Sequence, residues 1–365
     1  MKKPLSIVFT LSGLFLLTGC PSDGGGPGGN FTLGGSSAPA VVYVSNSGST
    51  NIATYSINST TGVLTESLAR VATGTTPDGI AVNRAGTFVY VANRGANSVT
   101  GYSANVGTGA LTSFGSVATG AGTTPTGVAV DPTGKFVYVT FPGTDFVAGY
   151  SINQTTGVLT GFGSVSTGAG ATPTGVAVDP TGKFVYVTFP GTDFVAGYSI
   201  NQTTGVLTGF GSIATGNTPV GVAVDPTGKF VYVANSGDAS VSMYTLNSAT
   251  GVLTSVGAAA GAGTTPTGVA IDSTGKFVYV TNRGDNTVTG YTINTSTGVL
   301  ASFGTIATGN TPEGIAVDFT GKFAYVTNSG AATVSMYTIN ATTGVLASAG
   351  AAVGAGTTPT GIATP

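Results

Sequence analysis

From Val41 onward, short apolar runs alternate with turns rich in Gly, Pro, Thr and Asn. Residues 218–254, TPVGVAVDPTGKFVYVANSGDASVSMYTLNSATGVLT, display the unit. Gly221 to Asp225 reads as a first strand, A, and Pro226-Thr227-Gly228 as a turn. Lys229 to Ala234 reads as strand B. Ser240 to Leu246 alternates apolar and polar side chains and reads as strand C. Asn247 to Gly251 turns the chain into strand D, Val252 to Gly257. The runs are too short for helices and are rich in Val, Tyr, Phe and Thr, which favour a pleated, half-buried surface.

The unit recurs. The Tyr of each Tyr-Val pair falls at Tyr43, Tyr90, Tyr138, Tyr186, Tyr232, Tyr279 and Tyr325, at spacings of 46–48 residues. The Asn of the second turn falls at Asn58, Asn105, Asn153, Asn201, Asn247, Asn294 and Asn340. Four strands per repeat at this period predict a propeller blade. The ends decide between a ring and an open stack. The repeats begin at Val41 with a strand B that lacks its strand A. They end at Thr358-Pro359-Thr360-Gly361-Ile362, a strand A that lacks its strand B. The fragments complement each other, so the fold predicted is all-β: a seven-bladed β-propeller of four-stranded blades, closed by the C-terminal strand joining the N-terminal blade. Residues 124–164 and 172–212 are identical, as if one blade had been duplicated.

Charge changes the picture little and chemistry more. Charged residues make up only 7%, the net charge is −2, and there is no His. No basic surface points to a nucleic-acid partner. The commonest general base and metal ligand is missing. At the N-terminus, Lys2 and Lys3 precede an apolar stretch from Pro4 to Leu17, the pattern of an export signal too short to span a bilayer comfortably. It ends at Leu17-Thr18-Gly19-Cys20, which carries the only cysteine and resembles a bacterial lipobox. The resemblance implies residues 1–19 as a lipoprotein signal peptide and lipid attachment at Cys20. With Pro21 rather than Asp after the cysteine, it also implies outer-membrane residence. Residues 20–40 read as a Gly/Ser/Pro tether, and 41–365 as the propeller, expected to be monomeric.

Tyr-Val-Ala-Asn at 232–235, Tyr-Val-Thr-Asn at 279–282 and 325–328, and the recurrent Thr-Pro-x-Gly-Ile/Val-Ala-Val resemble the YVTN-repeat β-propellers of exported and surface-layer proteins. The broader group includes the seven-bladed lactonases similar to 6-phosphogluconolactonase. The resemblance spans 41–365 and implies a ligand site at the channel mouth.

Positions that break the repeat carry the candidate chemistry. Five Asp-x-Thr-Gly-Lys turns hold ten of the charges in balanced pairs, and these read as scaffold. Asp78 and Glu313 occupy the x of Thr-Pro-x-Gly in the blades on either side of the closing blade, which offers Thr360 there. Arg94, Asp145, Asp193, Asp238, Arg283 and Asp285 lie in B–C loops predicted on the same face. Six acids against two arginines give that face −4. Phe141 and Phe189 replace the Asn of the Tyr-Val-x-Asn unit in the duplicated blades. They read either as ligand-stacking aromatics or as filling between blades. The ligand-binding candidates are therefore Asp78, Glu313, Thr360, Arg94, Arg283, Asp285, Asp238, Asp145, Asp193, Phe141 and Phe189. No cofactor is required, although Asp78 and Glu313 are also the candidate ligands for a Ca²⁺ ion. Without His, and with a blade duplicated, the sequence reads first as a lipid-anchored scaffold binding an envelope protein or glycan. A lactonase-like hydrolase using Asp78, Glu313 and Arg94 is the second reading, and a passive surface-layer component the third.

Overall fold

A computed structural model describes residues 40–168 and 170–365. The expected signal peptide, Cys20 and nearly all of the expected tether lie outside these residues. Within them every regular element is a strand, and the strands form seven antiparallel sheets. Blade one joins the two ends of the chain: Pro359–Ala363 pairs with Val41–Asn46, with Tyr43 opposite Ala363 and Val44 opposite Ile362. Blades two to seven follow in order along 77–118, 128–166, 176–214, 219–261, 266–307 and 312–354. In blade five the strands are Pro219–Val224, Phe230–Asn235, Ser240–Leu246 and Leu253–Ser255. Strand C matches the sequence reading, and the others shift by one or two residues at their ends.

The B strands are almost wholly buried because they are flanked on both sides within a blade and on both faces by neighbouring blades. Their repeated tyrosine explains why the blades stay in step. Each Tyr hydroxyl crosses to the next blade and donates to the carbonyl of its C–D turn glycine: Tyr43 to Gly109 at 3.1 Å, Tyr232 to Gly298 at 2.9 Å, Tyr325 to Gly62 at 3.0 Å. Tyr90, Tyr138, Tyr186 and Tyr279 do the same. The Tyr325 bond runs from blade seven to blade one and closes the ring.

The outer strand takes two forms, which the sequence reading did not separate. In blades two, three, four and six it is continuous, and a Phe lies over a Gly of strand C: Phe114 on Gly101, Phe162 on Gly149, Phe210 on Gly197, Phe303 on Gly290. In blades one, five and seven the strand C position holds Thr54, Met243 or Met336. There strand D breaks into two short pieces. Any side chain at this strand C position leaves no room for the ring, and without the ring the outer strand loses its anchor.

The Asp-x-Thr-Gly-Lys turns are built by their aspartates rather than by ion pairing. Asp225 is only 1% exposed. One carboxylate oxygen accepts the amides of Lys229 and Phe230, each at 2.6 Å, and the other accepts the amide and hydroxyl of Thr227. The lysines point outward to solvent.

Candidate functional site

The inner strand of each blade presents the x residue of its Thr-Pro-x-Gly segment toward the axis. The glycine that follows lies flat against the carbonyl of the x residue in the next blade. A Cβ on Gly361 would come within 2.4 Å of Asp78 O, one on Gly79 within 2.3 Å of Thr126 O, and one on Gly314 within 2.7 Å of Thr360 O. Only glycine allows this approach. The same relation through Gly127, Gly175, Gly221 and Gly268 completes a ring of x residues: Asp78, Thr126, Thr174, Val220, Thr267, Glu313 and Thr360. Strand B hydroxyls lock the ring, with Ser45 Oγ donating to Asp78 O at 2.6 Å and Thr327 Oγ1 to Thr360 O at 2.8 Å. All seven x residues are half-buried, and Asp78 and Glu313 flank Thr360.

The two carboxylates sit in different surroundings. Glu313 is held: Arg283 Nε lies 2.9 Å from its Oε1, and Ser329 Oγ donates to the same oxygen at 3.2 Å. Burial raises its pKa, and the Arg283 guanidinium and Ser329 hydroxyl pull it back down. Asp78 has no such clamp among the described residues. Burial pushes its pKa up to about 6, the Arg94 guanidinium draws it down, and the Glu313 carboxylate adds to the rise. Pseudo-symmetry explains the difference. The residue after the strand B Asn is Arg283 in the blade before Glu313 and Ser329 in its own. For Asp78 the corresponding residues are Ser47 and Arg94. Each acid therefore has one arginine and one serine near it, with the two positions exchanged.

Several sequence candidates have other jobs. Phe141 and Phe189 are each 4% exposed and pack into the apolar clusters between blades two and three and between three and four. They fill space between blades. The loop aspartates tie down neighbouring backbone. Asp145 accepts the amides of Gly170 and Thr172, at 2.8 and 2.7 Å, and Asp193 accepts that of Thr218 at 2.7 Å. Asp238 accepts Asn217 N at 2.6 Å, and Asp285 accepts Thr264 N at 2.7 Å and its hydroxyl at 2.5 Å. Thr360 is in the ring, with its hydroxyl donating to Pro77 O at 3.1 Å. Ser329 was missed by the sequence reading; its column, shared with Arg94 and Arg283, was the available signal.

The donor set does not fit Ca²⁺, which takes six to eight oxygens. Among the described residues no three of His, Cys, Asp or Glu come together. The guanidinium on Glu313 also occupies the face a cation would need.

A closed ring of seven blades with two acids and two arginines around one channel mouth defines a propeller with an ionisable central site. The chain matches the family described as lactonase, seven-bladed β-propeller, in overlapping segments 36–126, 72–173, 116–222, 166–267 and 258–360. It belongs to that family. This overturns the reading of the chain as first of all a protein- or glycan-binding scaffold. No curated protein matches in sequence.

Similar solved structures share the fold. A candidate 6-phosphogluconolactonase from Bacteroides fragilis superposes with a TM-score of 0.80 at 19% identity, covering 91% of this chain and 99% of that one. The periplasmic gluconolactonase of Pseudomonas aeruginosa gives 0.77 at 19% identity, over 88% and 98%. The hydrazine synthase of Kuenenia stuttgartiensis gives 0.62 at 18% identity, over 86% and 99%. So different a chemistry on a related ring means that the site, not the propeller, must carry the functional argument.

Proposed function

We propose that the protein hydrolyses lactones at the channel mouth, with Asp78 as general base. The observation that carries this is the contrast between the two acids: Glu313 is clamped by Arg283 and Ser329, whereas Asp78 is unclamped and raised to about 6. Such a base is ionised at neutral pH yet basic enough to take a proton in the transition state. Asp78 removes a proton from water as the water oxygen bonds to the lactone carbonyl carbon. Arg94 stabilises the oxyanion that forms. The acyl carbon–ring oxygen bond then breaks, and the proton held on Asp78 passes to the leaving alkoxide. The product is the open hydroxy acid. Glu313 and Arg283 orient the substrate through its hydroxyl groups.

The names of the similar structures and of the family make sugar-acid lactones the substrate class to assay first. Turnover of five- and six-membered aldonic lactones is expected, and Asp78→Asn should lower kcat by about 10²–10⁴-fold. Glu313→Gln should act mainly on KM. No turnover across that panel, or full activity in Asp78→Asn, would retire the proposal. From Leu17-Thr18-Gly19-Cys20 we further infer that the enzyme works in the cell envelope on a lipid anchor. Acylation detected by mass spectrometry, and lost in Cys20→Ser, tests that inference.

A further inference from the structure

The face opposite the channel mouth carries a pattern that hydrolysis does not use. The A–B and C–D turns share this face: the Gln154 side chain, in a C–D turn, donates to Gly134 O of an A–B turn at 2.9 Å, and Gln202 does the same to Gly182 O at 2.8 Å. Lys135, Lys183, Lys229, Lys276 and Lys322 ring it, all exposed. Their aspartates are 1–4% exposed and engaged by backbone amides, so they lie beneath the lysines. The ion pairs among the described residues are Arg70–Glu66 and Arg283–Glu313, and neither involves a lysine.

An apolar ring accompanies the charges. Val158, Val206, Val252, Val299 and Val345, each after the glycine of its C–D turn, are 41–47% exposed. Phe319, in the A–B turn of blade seven, is 54% exposed, the highest among the exposed large hydrophobics. Single exposed side chains are ordinary, but here an apolar group recurs blade after blade on one face.

The first described residue also lies on this face. In blades three to seven the carbonyl of the turn lysine accepts an amide from the end of strand C, as Lys135 O does from Ile152 at 2.7 Å. In blade one that acceptor is Ala40, bonded by Ile57 N at 2.8 Å. Ala40 thus occupies a lysine position in the ring.

We propose that this face lies against an anionic lipid bilayer. The lysines meet the headgroups, and Phe319 and the valines enter the interfacial layer. Charge gives the orientation, because the channel-mouth face, at −4, is repelled by the same surface. The substrate site then opens away from the lipid. This inference concerns docking and does not depend on the identity of the substrate.

The chain contains no Trp, so a single introduced indole reports its own position. Phe319→Trp and, on the opposite face, Ala121→Trp are made in the full chain. Each is bound to vesicles of phosphatidylglycerol and brominated phosphatidylcholine. Orientation rather than binding is read, since the apolar N-terminus alone would hold the protein to vesicles. The indole at position 319 should shift to the blue and lose about half its emission, as expected for an apolar face lying ~5–10 Å into the interface. The indole at 121 should do neither. On vesicles lacking phosphatidylglycerol the quenching at 319 should fall at least about twofold, as lysine–headgroup attraction is lost. An unquenched indole at 319, equal quenching at 121, or no dependence on the anionic lipid would overturn the proposal.

Discussion

Arg283 and Glu313 meet across a blade boundary, Nε to Oε1, at 2.9 Å. The arginine leaves strand B of blade six, and the acid enters on strand A of blade seven, so the pair sets how the carboxylate faces the axis. The Arg283 side chain is 51% exposed, so solvent screens the pair. Arg283→Gln should cost no more than about 1 kcal/mol in a urea melt. Its effect belongs to the site instead. Without the guanidinium, the Glu313 pKa, already raised by burial, rises further. The low-pH limb of the lactone-hydrolysis profile should then shift to higher pH while the melt stays nearly unchanged.

Asp78 makes a prediction with two readouts of opposite sign. Its folded pKa, about 6, lies above the unfolded value of 3.8. The folded state therefore binds the extra proton between those values, and stability falls as pH rises from about 4 to about 6. Activity should rise through the same upper value as the base ionises. Asp78→Asn removes both effects. At pH 7 it should raise stability by about 1–2 kcal/mol, a modest gain because the side chain is only half-buried. Below pH 4 the gain should vanish. Thermal melts of both proteins across pH 3.5–7.5 decide the matter, and a loss of stability at pH 7 would show that the carboxylate is held by contacts that outweigh its burial.

In the turns, carboxylate and lysine play separate parts. Asp225→Ala leaves four donors of the turn without their buried acceptor, and should cost about 2–4 kcal/mol. Lys229→Ala should cost less than about 0.5 kcal/mol, because the ammonium is exposed and unpaired. The asymmetry should persist in high salt, since an amide-bound carboxylate is not screened as a surface ion pair is. Urea melts at two salt concentrations measure it.

The ring was legible in the sequence for a reason tied to Val41 and Ile362. A strand B without a strand A and a strand A without a strand B can satisfy each other only by meeting, and they do. The places of Asp78 and Glu313 beside Thr360 follow from that closure and from counting repeats. The partner of Glu313 was not legible, because Arg283 reaches it from the preceding blade and no spacing along the chain encodes the contact. Asp145 and Asp285 look alike in sequence to residues free to bind a ligand; only loop geometry shows their oxygens taken by amides. Phe141 was ambiguous for a similar reason, since a loop-flanking aromatic can face either solvent or the neighbouring blade.

The two forms of outer strand give the last prediction. A Cβ at Gly290 would lie 2.2 Å from the Phe303 ring, which itself packs edge-on against Phe277 and Tyr279 at 6.1 and 6.3 Å. Gly290→Met alone should therefore be overpacked and cost about 2–3 kcal/mol. Phe303→Ala alone empties the space over the glycine and should cost about 2–4 kcal/mol. Together they reproduce the arrangement of blade seven, where Met336 occupies the glycine position and Ala349 that of the phenylalanine. The double variant should fall short of the sum of the single costs by about 2 kcal/mol or more, the coupling expected of residues in direct contact. A double-mutant cycle from urea melts measures that coupling directly. If the two costs simply add, then Phe303 does not hold the continuous outer strand by resting on Gly290, and the difference between the two kinds of blade must arise in the D–A loops instead.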